Sequence, residues 1–338
     1  MHSNKKTTLA DLSAYTGLSI TTISRVLNGK SDEFRISKAS QEIVRKAVKE
    51  LDYRPNFSAQ SLRRSSVHTL GLLVPSIENP FFANIASLVI REAHKYTYPV
   101  MVIDTGESPL EEENALETLM ARNVDGIIAA PSSETPGRFS EIAEHIPVVL
   151  IDRYFEDVDI PYVTTDNYLG AYKATELLIN KGHRDIMCLQ GSPLSITTRK
   201  RVLGYSDAMR TAGLEAHMTI SGNEYSIQSG YIETKLRILS GKPLTAIFAQ
   251  SSTILLGAIK AIREHGLRIP EDISIISFDN NVFLDYLNPA ITRVAQPIEN
   301  LGIIATKLMV DSVLGSETRQ SSIMLPPTLI EGASIRAL

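Results

Sequence analysis

From Thr69 onward, short apolar runs alternate with longer stretches in which apolar residues recur every three or four positions. The runs are Leu70–Val74, Val100–Asp104, Gly126–Ala130, Val148–Ile151, Ile186–Gln190, Ala246–Gln250 and Ile273–Phe278. Too short for helices and bounded by turn residues, they read as strands buried on both faces. The stretches between them predict helices near 82–95, 109–122, 167–180, 199–212, 227–239, 253–264 and 297–313, with one more short helix before Pro147. Strand and helix in alternation define a parallel sheet covered on both sides. The rhythm runs twice, over about 67–165 and 166–294. Two α/β lobes of similar plan follow, with extended residues 321–330 crossing back to complete both sheets.

Before residue 65 the period is purely helical. Thr8 caps a first helix with Leu9, Leu12 and Tyr15 inward, Gly17 supplies the turn, and Ser19 caps a second helix buried through Ile23, Val26 and Leu27. A third, from about Lys38 to Leu51, closes the core with Ile43, Val44, Ala47, Val48 and Leu51. The product is a small all-α head with a helix-turn-helix, a device that places its second helix in the DNA major groove. Ile20, Thr21, Thr22, Arg25 and Asn28 then face outward, where they can reach base edges and phosphates. Exposed Ile20 wastes burial unless it meets something such as a thymine methyl. Between the second and third helices, Gly29 to Ser37 forms a loop long enough to alter how the third helix sits.

Charge sharpens this reading. The overall net charge of −4 hides a basic head on an acidic body: residues 1–64 hold 12 Lys and Arg against 6 Asp and Glu, whereas residues 65–338 hold 22 against 32. A polyanion is attracted to the head and repelled by most of the body, with strong salt dependence. An anionic membrane is a weaker partner, because no stretch combines a basic face with an exposed aromatic one. No run of about 18 apolar residues exists for a membrane span, and the opening MHSNKKTTLADL lacks a signal-like apolar core, so a cytoplasmic chain is expected. The single Cys188, within an apolar run, excludes an intrachain disulfide and reads as core filling.

Several strands end in polar residues: Ser76, Asp104, Asp152, Gln190, Gln250 with Ser251, and Asp279 with Asn280. Strand C-termini of open α/β sheets form the rim where small ligands bind, and two facing rims enclose a cleft. Phe81, Phe82, Tyr225 and Phe283 offer flat apolar faces there, with Asp152, Asp279 and Arg201 as polar clamps, a combination that suits a sugar. Each aromatic has a plainer alternative as core filling, and each strand-end Asp as the cap of the following helix. No catalytic residues are expected: HExxH, GxxxxGK[ST], GxSxG and an acid/base carboxylate pair are all missing. The seven histidines lack metal-ligand spacing, so neither metal nor cofactor is implied. Binding without chemistry is the better account.

The chain resembles the LacI/GalR family of bacterial transcription regulators from Thr8 to its end. The resemblance rests on LSITTISRVLNGK at 18–30, LDYRPNFSAQSLR at 51–63, VDGIIAAP at 124–131 and ISFDN at 276–280, each in order. It implies a helix-turn-helix head (1–56), a hinge helix and linker (57–66), and a two-lobed body like periplasmic binding proteins. The lobes would take 67–165 with 295–324, and 166–294 with 325–338. It further implies DNA contacts at Ser19, Ile20, Thr21, Thr22, Ser24, Arg25, Asn28 and Arg54, with Ala59 and Leu62 at the minor groove. A hinge of about seven residues is too short to be a stable helix alone, so its folding can be linked to DNA and to a twin. Leu62 entering a base step would kink the duplex. Effector contacts are implied at Phe81, Phe82, Asp152, Ser195, Thr197, Arg201, Tyr225, Ser251, Asp279 and Phe283.

Partners follow from the same resemblance: a pseudo-palindromic operator read by a homodimer, and a small effector, a sugar or sugar derivative. Control by a protein corepressor or a non-sugar ligand stays open, as does whether the ligand releases or strengthens DNA binding. A solute-binding protein is disfavoured by the basic head and a sugar-modifying enzyme by the lack of a catalytic pair. No leucine heptad follows the last strand, so a dimer is expected over a tetramer. Two departures from the family pattern stand out. Ser251-Ser252 replaces a frequent Asn-Asp, removing hydroxyl-binding capacity from one wall, and the loop Lys30–Arg35 is extended.

Overall fold

The computed structural model describes residues 7–53, 67–316 and 322–338. The chain divides into two compact units, residues 1–67 and 68–338, each described by itself below. In the first, α1 (Leu9–Thr16), α2 (Ile20–Leu27) and α3 (Lys38–Glu50) each begin on a hydroxyl cap: Thr8, Ser19 and Ser37 accept from the backbone N–H three residues on. Asp11 returns the favour to the Thr8 backbone, completing a capping box. Gly17, at φ +70°, ends α1 in the left-handed conformation.

Leu12, Ile23, Val26, Val44, Ala47 and Tyr53 form the head's core. Two residues expected there lie outside it. Tyr15 is 57% exposed, its hydroxyl donating to the Glu50 carboxylate at 2.7 Å, because a long amphipathic side chain at the rim satisfies its polar tip at the surface. Ile43 is 47% exposed. The buried stripe of α3 runs through Val44, Ala47, Val48 and Leu51, and Ile43 sits one helical step, about 100°, away from it.

The second unit holds two six-stranded sheets. The first orders its strands β11-β5-β4-β3-β1-β2, all parallel: β1 (Leu70–Val74), β2 (Val100–Asp104), β3 (Gly126–Ala129), β4 (Val148–Ile151), β5 (Tyr162–Thr165) and β11 (Ile323–Leu325). Helices α4 (Pro80–Lys95) and α11 (Ile298–Val313) cover one face, and α5 (Pro109–Ala121) with α6 (Gly137–Ala143) the other. The second sheet orders β12-β10-β9-β8-β6-β7, from β6 (Ile186–Leu189), β7 (Thr219–Ser221), β8 (Ala246–Ala249), β9 (Ser274–Phe278), β10 (Thr292–Ala295) and β12 (Thr328–Ile330). Among the described residues only β12 runs antiparallel to its neighbour. Here α7 (Asn167–Asn180) and α8 (Ile196–Thr211) cover one face, α9 (Ile227–Leu239) and α10 (Ser252–Glu264) the other.

The chain passes between lobes three times: after β5, after β10, and between β11 and β12. Thr165 and Gln296 join two of these crossings, the Thr hydroxyl donating to the amide oxygen at 2.8 Å. Strands β5, β7 and β10 escaped the apolar pattern because their sequences, YVTT, TIS and TRVA, are half polar. Neighbouring strands recruit them despite that composition, a tertiary override of local signal.

Candidate functional site

In the head, α2 leaves Ile20, Thr21 and Asn28 exposed and Thr22, Ser24 and Arg25 partly buried, and the local hydrogen bonds sort these residues into two groups. The Ser19 and Thr22 hydroxyls lie 2.8 Å apart within the N-cap, and Asn28 donates back to the Ser24 carbonyl at 2.7 Å. Those three side chains, Ser19, Thr22 and Asn28, support the helix ends. Ile20, 45% exposed, and exposed Thr21 stand free of such duty. Arg25 is half-buried, its guanidinium 3.7 Å from the centroid of the Phe34 ring in the extended loop. Arg54, Ala59 and Leu62, with the whole segment 57–66, lie outside the described residues.

In the body, the C-terminal ends of β4 and β9 carry equivalent residues. Asp152 follows β4 with φ +64° and Asp279 follows β9 with φ +81°. Left-handed backbone costs an ordinary residue about 1–3 kcal/mol and suits Asp better than most, so both lobes spend strain to aim a carboxylate inward. Asp279 is held on both oxygens: Gln296 Nε2 donates at 2.8 Å, and the backbone N and hydroxyl of Ser252 donate at 3.1 and 3.3 Å. The Ser-Ser departure therefore anchors Asp279 through Ser252, while the Ser251 hydroxyl caps α10 on the Ile254 N–H.

Asp152 is different. It is buried, and its Oδ1 has no hydrogen-bond partner among the described residues. Burial pushes its pKa up to about 6 against the pull of Arg201 and Arg153, with Asp279 and Glu107 adding repulsion. Arg201 stacks its guanidinium 3.8 Å from the Phe278 ring while Nε donates to Asn167 at 2.8 Å and Nη1 to the Gln250 carbonyl at 2.6 Å. Arg153 is fixed by a bidentate pair with Glu107 at 2.6 and 2.7 Å.

These groups line a cavity of about 20 Å³ between the lobes. Phe81, Phe82, Asp152, Thr197, Arg201, Tyr225, Ser251 and Asp279 all face it, joined by Asn79, Arg153 and Gln296. Arg153 and Tyr225 also line an outer chamber of about 220 Å³, where Ser195 lies with Glu134, Arg199 and Glu224. The inner space holds about one water, so a sugar needs Arg153, Tyr225 or the lobes themselves to yield. Phe283 faces neither cavity and packs against the second lobe's core instead. Asp104 accepts from Ile77 and Gly106 N–H groups, the plain capping role.

Sequence reasoning missed Asn79, which caps α4, as well as Arg153 and Gln296. Arg153 had a signal in its place directly after a strand-end Asp. Gln296 follows β10, a strand the apolar pattern did not show, and so had none. Tyr225 is set by Gly191, where a Cβ would lie 2.2 Å from the ring's Cζ, and by Thr198, whose hydroxyl is 2.6 Å from the phenol. The two lobes meet across the start of α8. Ile196 is buried in the first lobe's core, Arg199 pairs with Glu134 at 3.7 Å, and Lys200 pairs with Glu156 at 2.7 Å. Among the described residues no His, Cys, Asp and Glu cluster could hold a metal, and no helix is long and apolar enough to cross a membrane.

A helix-turn-helix head in the same chain as a two-lobed α/β body with a polar cavity between the lobes defines a DNA-binding regulator with a ligand-binding domain. Residues 8–56 match bacterial regulatory proteins of the lacI family, and residues 175–335 match the periplasmic binding protein-like domain. The regulator DegA of Bacillus subtilis is 32% identical over 96% of this chain and 97% of its own. The ribose operon repressor of Haemophilus influenzae is 32% identical over 98% of this chain and 99% of its own. Among solved structures, the lac repressor dimer bound to operator and the anti-inducer ONPF superposes with a TM-score of 0.87 at 26% identity, covering 98% of this chain and all of that one. The chain belongs to the LacI family of transcriptional regulators.

Proposed function

We propose that this protein is an operator-binding repressor whose grip on DNA is set by a small polyhydroxylated ligand, a sugar or sugar derivative, taken up between the lobes. The observation that carries this is the unpartnered Oδ1 of buried Asp152, set opposite Asp279 and Arg201 in an aromatic-walled cavity. A carboxylate in that state seeks a hydrogen-bond donor. Sugar hydroxyls donate to carboxylates and accept from guanidinium, while ring C–H faces lie against Phe82 and Tyr225. The ribose operon repressor among its relatives supports the same ligand class.

On this reading the head, 1–56, binds the major groove through Ser19, Ile20, Thr21, Thr22, Ser24, Arg25, Asn28 and Arg54. Residues 57–66 form the hinge, with Ala59 and Leu62 at the minor groove. The effector contacts are those of the inner cavity with Ser195, and the lobes divide as 67–165 with 296–325 and 166–295 with 326–338, one residue from the expected bounds, because Ala295 ends β10 in the second sheet and Leu325 ends β11 in the first. Two chains meet a pseudo-palindromic operator as a homodimer, and the cavity binds without chemistry.

The test is ligand-induced thermal stabilisation of the full chain across free sugars, sugar acids, sugar phosphates and purines, since a ligand for the folded state alone must raise its apparent stability. A sugar-class hit that also shifts DNA affinity supports the reading. A purine hit, or none, overturns the sugar assignment and turns attention to another ligand or a protein corepressor.

A further inference from the structure

The extended loop after α2 has a structure of its own. Gly29 takes φ +71°, and backbone bonds run from Lys30 N to Arg25 O at 3.0 Å, Phe34 N to Lys30 O at 3.2 Å and Ile36 N to Ser31 O at 2.8 Å. Ser31 is buried, Ile36 packs on the head core, and Lys30 pairs with Glu33 at 3.6 Å. This frame holds Phe34, which is 40% exposed and contributes little to the core, against the guanidinium of Arg25.

We infer that Phe34 is a positioning residue for base reading: it fixes the Arg25 guanidinium on the outer face of α2 before DNA arrives. The inference rests on the proposed reading of α2 as the base-contacting helix. Stacking occupies the face of a guanidinium and leaves its N–H edge free, the edge that grips guanine O6 and N7 in two parallel bonds. Arg201 shows the compatibility within this molecule, stacked on Phe278 while its edge donates to Asn167 and Gln250. At Arg25 no carboxylate among the described residues pairs with that edge. An arginine already stacked has less rotamer freedom to lose on binding, so affinity for the correct base rises while phosphate attraction, common to all sequences, does not change.

The experiment selects DNA from a randomised duplex library with the full chain and its variants, sequences the pools, and titrates the wild-type winner and its single-base variants. Phe34→Ala should weaken the selected duplex roughly three- to tenfold and flatten base preference at one position per half-site, leaving bulk genomic DNA binding unchanged. Phe34→Tyr should restore the preference. Phe34→Leu, which keeps apolar bulk and the fold but has no ring, should behave like Phe34→Ala. In an Arg25→Ala background, Phe34→Ala should add nothing. A wild-type profile for Phe34→Leu, or full loss in the double variant beyond Arg25→Ala alone, overturns the inference. If Arg25→Ala itself selects the wild-type sequence, the underlying reading of Arg25 fails instead, and the two failures are told apart.

Discussion

Asp152→Asn should make the ligand-free body more stable at pH 8. The carboxyl is buried and its acidity sits at about 6, against an ordinary value of 3.8. A raised acid binds its proton more tightly folded than unfolded, so stability is highest below about pH 4 and is lost as pH rises through 6. The gap of about two units corresponds to roughly 3 kcal/mol above pH 6, already net of the attraction from Arg201 and Arg153. Asparagine keeps the shape, tolerates the left-handed backbone and carries no charge at any pH. Over the body's size this amounts to a rise in Tm of about 5 °C at pH 8, shrinking to little at pH 4. Differential scanning calorimetry of both proteins from pH 4 to 8 reads the difference directly. A gain that does not vary with pH, or a loss at pH 8, would refute the claim that a buried ionised carboxylate is held at a cost here.

The same carboxylate sets the expected pH profile of effector binding. If hydroxyls donate to ionised Asp152, affinity should fall by up to about tenfold per unit below pH 6, and isothermal titration should find this slope absent in Asp152→Asn. Gly191→Ala should drive a Cβ into the Tyr225 ring, costing about 1–3 kcal/mol and the effector response together; normal melting and titration curves would remove Tyr225 as a wall. Leu62→Ala should lower affinity for a selected operator by roughly tenfold or more with little change on bulk DNA, and an equal loss on both would argue against insertion at a base step.

What the sequence disclosed depended on the physical nature of each signal. Buried parallel strands announce themselves as apolar runs, and hydroxyl caps announce helix starts, so the two lobes and the head were legible. Polar-edged β5, β7 and β10 were not, since their place is fixed by neighbours rather than by composition. In the cavity, aromatic and charged residues at strand ends could be nominated, but sorting them needed three dimensions. Asp104 and Asp152 occupy the same kind of position, yet one caps a loop and the other faces the cavity with its Oδ1 unpartnered among the described residues. Phe283 carried the same aromatic signal as Phe82, yet it packs half-buried against the second lobe's core and faces neither cavity. Arg25 was legible as outward, while its stacking on a loop ring nine residues on was not, because a loop has no period from which to read a contact.

The start of α8 ties cavity and lobe closure into one object. Thr197 and Arg201 face the inner cavity, and Thr198 holds the Tyr225 phenol, while Ile196, Arg199 and Lys200, interleaved with them on the same turns, grip the first lobe. The grip is modest. Both ion pairs are partly exposed and are worth about 0–1 kcal/mol each, and the main contribution is burial of Ile196, about 1.5–3 kcal/mol. Coupling between sites in regulators is typically 1–3 kcal/mol, the same size as that clasp. A ligand that pulls on Thr197 and Arg201 therefore need not overcome the stability of either lobe. It has to outweigh one isoleucine, two solvent-screened ion pairs and the approach of the Arg153 guanidinium to the Tyr225 ring at 5.8 Å, and since Ile196 sits on the helix that bears those contacts, moving one moves the other.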